Sequence, residues 1–367
     1  MRLVTTTLLF LCGTILLAQP DKMYRSVEEA MKSPKDVFRL NLHGKSLNTI
    51  PENISECVNL RYLDLSGNSI DSIPDFLGNF VDLRELSIIG NRIHKLPSSF
   101  SGLTQLEVLY AGINLFDAFP EVLTKLPSLK ILDLAQSNIS SLPEAIGHME
   151  KLEELYLNFN HIEVIPNSIG QLEKLDVLSL TDNQIRTIPS SIRGMSALRS
   201  LFLQNNQIGQ LPDAIGEVPQ LFSLSLSRNQ LKELPQSMGL LSQLQYLDVS
   251  RNELRSLPVE LTQISPLKKL DLSRNSILEL PDQMGLLSNL STLNASRNQL
   301  TSLPPSLGES KDLVTINASR NQLNSIPQEL ANLPNLKKLY LNGNPLNQKE
   351  YERITTSLPD CRVVFNY

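Results

Sequence analysis

Tryptophan is missing from this chain, and aromatic residues of all kinds make up only 5% of its 367 positions although 41% are hydrophobic. A core built from such a sequence is aliphatic. There are three cysteines (Cys12, Cys57, Cys361) and four histidines (His43, His94, His148, His161), with no Cys-x-x-Cys or His-x-x-x-His, so neither a metal site nor a cysteine nucleophile is expected. Gly-x-Gly-x-x-Gly, phosphate-binding loops and Gly-x-Ser-x-Gly are also absent, which removes the usual grounds for a nucleotide cofactor or a serine hydrolase. The net charge of −5 lacks the basic excess of a nucleic-acid or anionic-lipid binder. No cofactor, nucleic acid or catalytic residue is therefore anticipated.

Proline, by contrast, is plentiful and ordered. Pro51, Pro74, Pro97, Pro120, Pro143, Pro166, Pro189, Pro212, Pro235, Pro258, Pro281, Pro304 and Pro327 are each 23 residues from the next. A second column holds Asn68, Asn91, Asn114, Asn160, Asn183, Asn206, Asn229, Asn252, Asn275, Asn298, Asn321 and Asn344, broken only by Lys45 and Ser137. Within a unit such as Leu244-x-x-Leu247-x-Val249, the last two apolar residues are two apart, which is strand spacing, so Tyr246, Asp248 and Ser250 face the other way. The asparagine amide suits a backbone bend, Leu254 and Leu257 re-enter the core, and Pro258 starts the return arm. Gly78, Gly147, Gly170, Gly216, Gly239, Gly285 and Gly308 stand where a short helical arm would end.

This Leu-x-x-Leu-x-Leu-x-x-Asn-x-Leu period, followed by Leu-Pro-x-x-Ile-Gly-x-Leu, resembles the leucine-rich repeat in its 23-residue bacterial and Ras-group (Shoc-like) subtype. The resemblance implies an α/β solenoid: a curved horseshoe with a parallel β-sheet on the concave face and short helical or irregular arms on the convex face. About fourteen units cover residues 37–348. One unit cannot bury its own apolar stripe, so stability comes from stacking.

The two ends depart from the repeat. Met1-Arg2, the apolar Leu3–Leu17 and the small Ala18 read as a secretory signal peptide over residues 1–18, too short for a membrane span, which places the mature chain outside the cell, in a periplasm or on a surface. A cytoplasmic chain that keeps these residues is the alternative. Residues 19–36 form an N-terminal cap with a helix started by Ser26-Val27-Glu28-Glu29 and stopped by Pro34. Residues 349–367 form a C-terminal cap, a helix with Tyr351, Ile354 and Leu358 on one side and then a strand from Cys361. Cys57 and Cys361 lie about 60 Å apart along fourteen strands of ~4.8 Å spacing, so they cannot pair within one chain.

Recognition is expected on the outward strand positions, which family members use to bind proteins. Tyr110, Tyr156 and Phe202 share one strand column in alternate units, interleaved by Asp133 and Ser179, with Phe159 just past the strand and Tyr246 further along. Clustered exposed aromatics are what binding hot spots are made of. A second candidate is a row before the asparagines: Arg228, Arg251, Arg274, Arg297 and Arg320. These five either form an electropositive rim for carboxylates or are repeat consensus, each paired to a nearby aspartate. The column holding Asp64, Asp133, Asp248 and Asp271 is expected to be solvated and inert. Unit four, with Ala111, Phe116 and Phe119 inside and Ser137 next to it, is expected to change the local curvature. The reading is a non-enzymatic, exported and monomeric scaffold for a protein or peptide. Its alternative is an intracellular signalling scaffold of the Ras-group type.

Overall fold

The computed structural model describes residues 22–365. The expected leader, residues 1–18, lies outside the described residues, as do the last two residues of the C-terminal cap. Sixteen short strands run through the described chain. The first eight are β1 (Met23–Tyr24), β2 (Arg39–Asn41), β3 (Tyr62–Asp64), β4 (Glu85–Ser87), β5 (Val108–Tyr110), β6 (Ile131–Asp133), β7 (Glu154–Tyr156) and β8 (Val177–Ser179). The others are β9 (Ser200–Phe202), β10 (Ser223–Ser225), β11 (Tyr246–Asp248), β12 (Lys269–Asp271), β13 (Thr292–Asn294), β14 (Thr315–Asn317), β15 (Lys338–Tyr340) and β16 (Arg362–Val364). They form one parallel sheet in chain order, and β2 to β15 supply the fourteen repeat strands.

Register is one to one and never slips: Leu224 faces Leu201 on one side and Leu247 on the other. The middle residue of each repeat strand is buried, while most flanking positions are half-buried and point away from the core. In the coil that starts at Leu60, the side chains of Leu60, Leu63, Leu65, Ile70, Ile73, Leu77 and Phe80 are buried, and equivalent positions in every coil merge into one continuous core. Full burial stabilises each such residue by about 1.5–3 kcal/mol, which only a coil covered on both sides obtains. Cys57 takes the place of Phe80 in its own coil and is fully buried.

The asparagines do more than close their own bends. Asn229 donates from Nδ2 to the Leu226 carbonyl of its own coil (3.0 Å) and to the Leu203 carbonyl of the preceding coil (2.9 Å). Its Oδ1 accepts from the Ile208 N–H, also of the preceding coil (2.9 Å). Asn91, Asn183 and Asn321 repeat the pattern. Each amide thus cross-links two coils and satisfies backbone groups that have no strand partner. Ser137 cannot reach those groups, and its buried hydroxyl has no partner.

The return arms are 3-10 turns of five residues in most coils, each entered through a proline whose carbonyl takes the N–H three residues on, as from Leu77 to Pro74 (3.1 Å). The glycines of these arms are not helix ends in the left-handed region. They permit close approach between arms: a Cβ on Gly216 would stand 2.0 Å from the Ser237 carbonyl oxygen, and one on Gly78 2.0 Å from that of Ser99. In unit four the sheet carries on without a change of register, and Ala111 N bonds Asp133 O at 2.8 Å. The departure lies in the arm, where Pro120 has ψ 97° against 147° at Pro189 and 158° at Pro97.

At the N-terminal end α1 (Val27–Ala30) is capped by Ser26, which accepts from Glu29 N–H at 3.1 Å. The first repeat strand is paired by β1, an additional strand that the sequence pattern did not indicate, and Pro34 opens a 3-10 turn. At the other end α2 (Gln348–Ser357) buries Ile354, and Tyr351 packs on Phe365 with ring centroids 5.0 Å apart.

Asn229→Ala should lower stability by about 1–3 kcal/mol, because it orphans the buried Ile208 N–H, while the Leu203 and Leu226 carbonyls keep the bonds donated by Asn206 and Asn252. Ser137→Asn should raise it by supplying the missing cross-links. Thermal unfolding followed by circular dichroism checks both; a midpoint that falls in the second variant contradicts the account.

Candidate functional site: the outward face of the sheet

The uniform register places the expected aromatics as the sequence spacing required. Tyr110, Asp133, Tyr156, Ser179 and Phe202 are successive Cα partners across β5 to β9. The three rings are half-buried and two strands apart, roughly 10 Å at the ~4.8 Å strand spacing, so each is separated from the next by a small or acidic side chain. Tyr156 donates its hydroxyl to Glu154 Oε2 (2.7 Å), and its pKa is pushed up to about 12 by desolvation and then by that carboxylate. Tyr110 is shifted up as well, by desolvation first and then by Glu85, Glu154 and Asp133.

Asp133 is less solvated than expected. Packed between Tyr110 and Tyr156, it is desolvated enough to raise its pKa, an effect its hydrogen bond from Ala135 N–H (2.8 Å) only partly offsets. No lysine, arginine or histidine of the described chain pairs with it. The sequence spacing already set Asp133 between the two tyrosines; its desolvation was not legible there because it depends on how closely those side chains cover the carboxylate.

Phe159 and Tyr246 lie elsewhere. Tyr246, on β11, belongs to the column of Ser223 and Lys269, rests on Phe222 (ring centroids 5.3 Å apart) and has Lys269 Nζ 5.4 Å from its ring centre. It still joins Phe202, Gln204, Asp248, Lys269 and Asp271 around a shallow concavity of about 380 Å³ on this face. A larger recess of about 580 Å³, lined by Arg193, Pro212 and Glu217 among others, sits among the return arms and away from the strand columns. Phe159 lies past the end of β7, 52% exposed, with φ +55°.

That φ identifies a further column. Ile113, Gln136, Phe159, Asp182 and Asn205 and then Arg228, Arg251, Arg274, Arg297 and Arg320 all have φ between 54° and 58°, and Gly67, Gly90 and Gly343 hold the corresponding places nearer the ends. The conformation is imposed by the fold, since the N–H at this position donates to the next coil, as from Arg228 to the Ser250 carbonyl (2.9 Å). Glycine adopts it without strain, whereas other residues lose about 1–3 kcal/mol each. Ile113, 53% exposed, belongs here and was overlooked; the glycines in the column were the available signal.

The five arginines are all exposed. Pairing with aspartate, the plainer expectation, does not occur: no ion pair within 4.0 Å involves any of them among the described residues. Asp248 and Asp271 instead accept the backbone N–H groups of Ser250 and Ser273 (2.9 Å each). Arg251 has its pKa lowered, chiefly by the like charges of Arg228 and Arg274. Among the described residues no group of three or more potential metal ligands is found, and no helix is long and apolar enough to cross a membrane.

Stacked 23-residue coils with a diversified outer strand face define a solenoid repeat protein. Family models agree: one described as leucine rich repeat matches residues 111–162 and 152–208, and one described as leucine-rich repeat region matches 37–131 and 238–362. A leucine-rich repeat protein of Leptospira interrogans is 32% identical with a TM-score of 0.77, the match covering 94% of this chain and 100% of that one. An internalin of Listeria monocytogenes (24% identity, TM-score 0.72, 92% of this chain and 88% of that one) shares the fold. So does a plant peptide hormone receptor (24% identity, TM-score 0.77, 94% of this chain and 60% of that one). A search of curated proteins found no match. The chain belongs to the leucine-rich repeat proteins, in their bacterial type.

Asp133→Asn should stabilise the protein at neutral pH. A carboxyl whose folded pKa is raised favours folding below its unfolded pKa, and that contribution is lost as pH rises through the folded value. The gain from the substitution should therefore shrink as pH falls through the carboxylate range. Denaturant titrations at several pH values check this; a gain that grows toward acid would contradict the assignment.

Proposed function

We propose that this protein is an exported, non-enzymatic scaffold that binds a protein or peptide on the concave sheet face, with Tyr110, Tyr156, Phe159 and Phe202 as first contacts and the arginine row second. The observation that carries this reading is the β5–β9 column, in which aromatic rings that the core does not need flank a desolvated carboxylate with no cation of its own. A basic or hydrogen-bonding group of a partner would relieve that carboxylate, and the rings would bury apolar surface against it. A flat strand surface without an enclosing pocket suits a macromolecular partner better than a small substrate. The fold shared with an internalin and a peptide hormone receptor, and the signal-like residues 1–18, support export.

Changing Tyr156 and Phe202 together to alanine should weaken capture of a partner from the cell surface and secretome at least tenfold while circular dichroism stays unchanged. Undiminished capture by the double variant would remove the aromatic column from the site. N-terminal sequencing of the purified mature protein should begin near Gln19; a retained Met1 would instead support the intracellular reading.

A further inference from the structure

The left-handed column changes character along the solenoid. It runs from glycine through Ile113, Gln136 and Phe159, then Asp182 and Asn205, to five successive arginines, and returns to glycine at Gly343. Asp182 and Asn205 hydrogen-bond to each other, so side chains in this column satisfy one another where their chemistry allows. The arginines cannot. Each occupies a backbone position suited to glycine, none is ion-paired, and neighbours one coil apart carry the same charge at a strand spacing of ~4.8 Å. Such an arrangement gives up stability and gains no ion pair within 4.0 Å among the described residues.

We infer that the row Arg228–Arg320 is the docking track for the acidic part of an extended segment of a partner protein, whose apolar part reaches toward Phe159 and Ile113. Arginine forks along a rim hold carboxylates by charge-assisted hydrogen bonds. The exposed apolar residues Phe159 and Ile113 further along the same column favour a protein over a uniformly anionic polysaccharide, which has nothing to place there. Phe159 to Arg320 is seven coil steps, on the order of 34 Å, which about ten residues of extended chain span at ~3.3 Å each; the arginines cover roughly the last six. This rests on and deepens the binding function proposed above, but it does not use Tyr110, Tyr156 or Phe202, so the arginine track and the aromatic column can fail separately.

The test measures fluorescence anisotropy of a labelled ten-residue peptide, with an apolar start and six glutamates at its C-terminal end, against the full chain. Comparison probes are the same peptide with glutamine for glutamate and a sulfated oligosaccharide. The triple variant Arg251→Gly, Arg274→Gly, Arg297→Gly relieves the backbone strain and should keep or raise the thermal midpoint, so lost binding cannot be lost folding. The expected result is glutamate-peptide binding that weakens with added salt and falls at least tenfold in the triple variant, with the glutamine peptide much weaker on the unaltered protein. No binding, equal binding by the triple variant, or tighter binding of the oligosaccharide than of the acidic peptide would each overturn the inference. If Tyr156→Ala with Phe202→Ala leaves the peptide bound while the arginine variant releases it, the arginine track stands and the aromatic contacts fall.

Discussion

The structure depends on one amide per coil. A leucine stack alone would let coils slide or rotate against one another, since apolar burial is non-directional. The asparagine side chain removes that freedom by bonding two carbonyls and one N–H in two successive coils, out of contact with water, where each lost partner is costly. The column is nearly unbroken for this reason, and the backbone around it hardly varies from coil to coil. The left-handed residue beside it, the three-residue strand before it and the proline-led arm after it accompany that amide along the solenoid, and they persist where Ser137 replaces it.

A backbone fixed so tightly leaves side chains free to vary only where they point outward. Two outward columns carry features that stability does not explain. In one, Asp133 is desolvated between two tyrosines without a cation; in the other, arginines occupy left-handed positions without partners. Both cost the folded state something, and both lie on the accessible side of a sheet whose inner side is already filled. Their opposite polarities, acidic and aromatic near β5–β7 and basic near β10–β14, give the face a direction.

Much of this was legible in the sequence, for a physical reason that particular residues display. A side-chain period of two assigns Leu247 inward and Asp248 outward with no further information, and equal repeat lengths force Tyr110, Tyr156 and Phe202 into one column. Other features depend on what stands beside a residue in space. Gly216 looked like a helix end and proved to be a contact between arms, and Tyr246 looked free but is stacked on Phe222. The strand β1 was invisible because two residues carry no detectable period.

The amino-acid sequence by itself determined the architecture: the coil length, the inward leucines, the asparagine ladder and the identity of every outward column, because a strict repeat converts position along the chain into position in space. Only the tertiary structure decided which outward residues are satisfied and which are not. That Asp133 is desolvated and Arg251 unpaired depends on the reach of side chains in adjacent coils and on the water they exclude, quantities that no single coil contains.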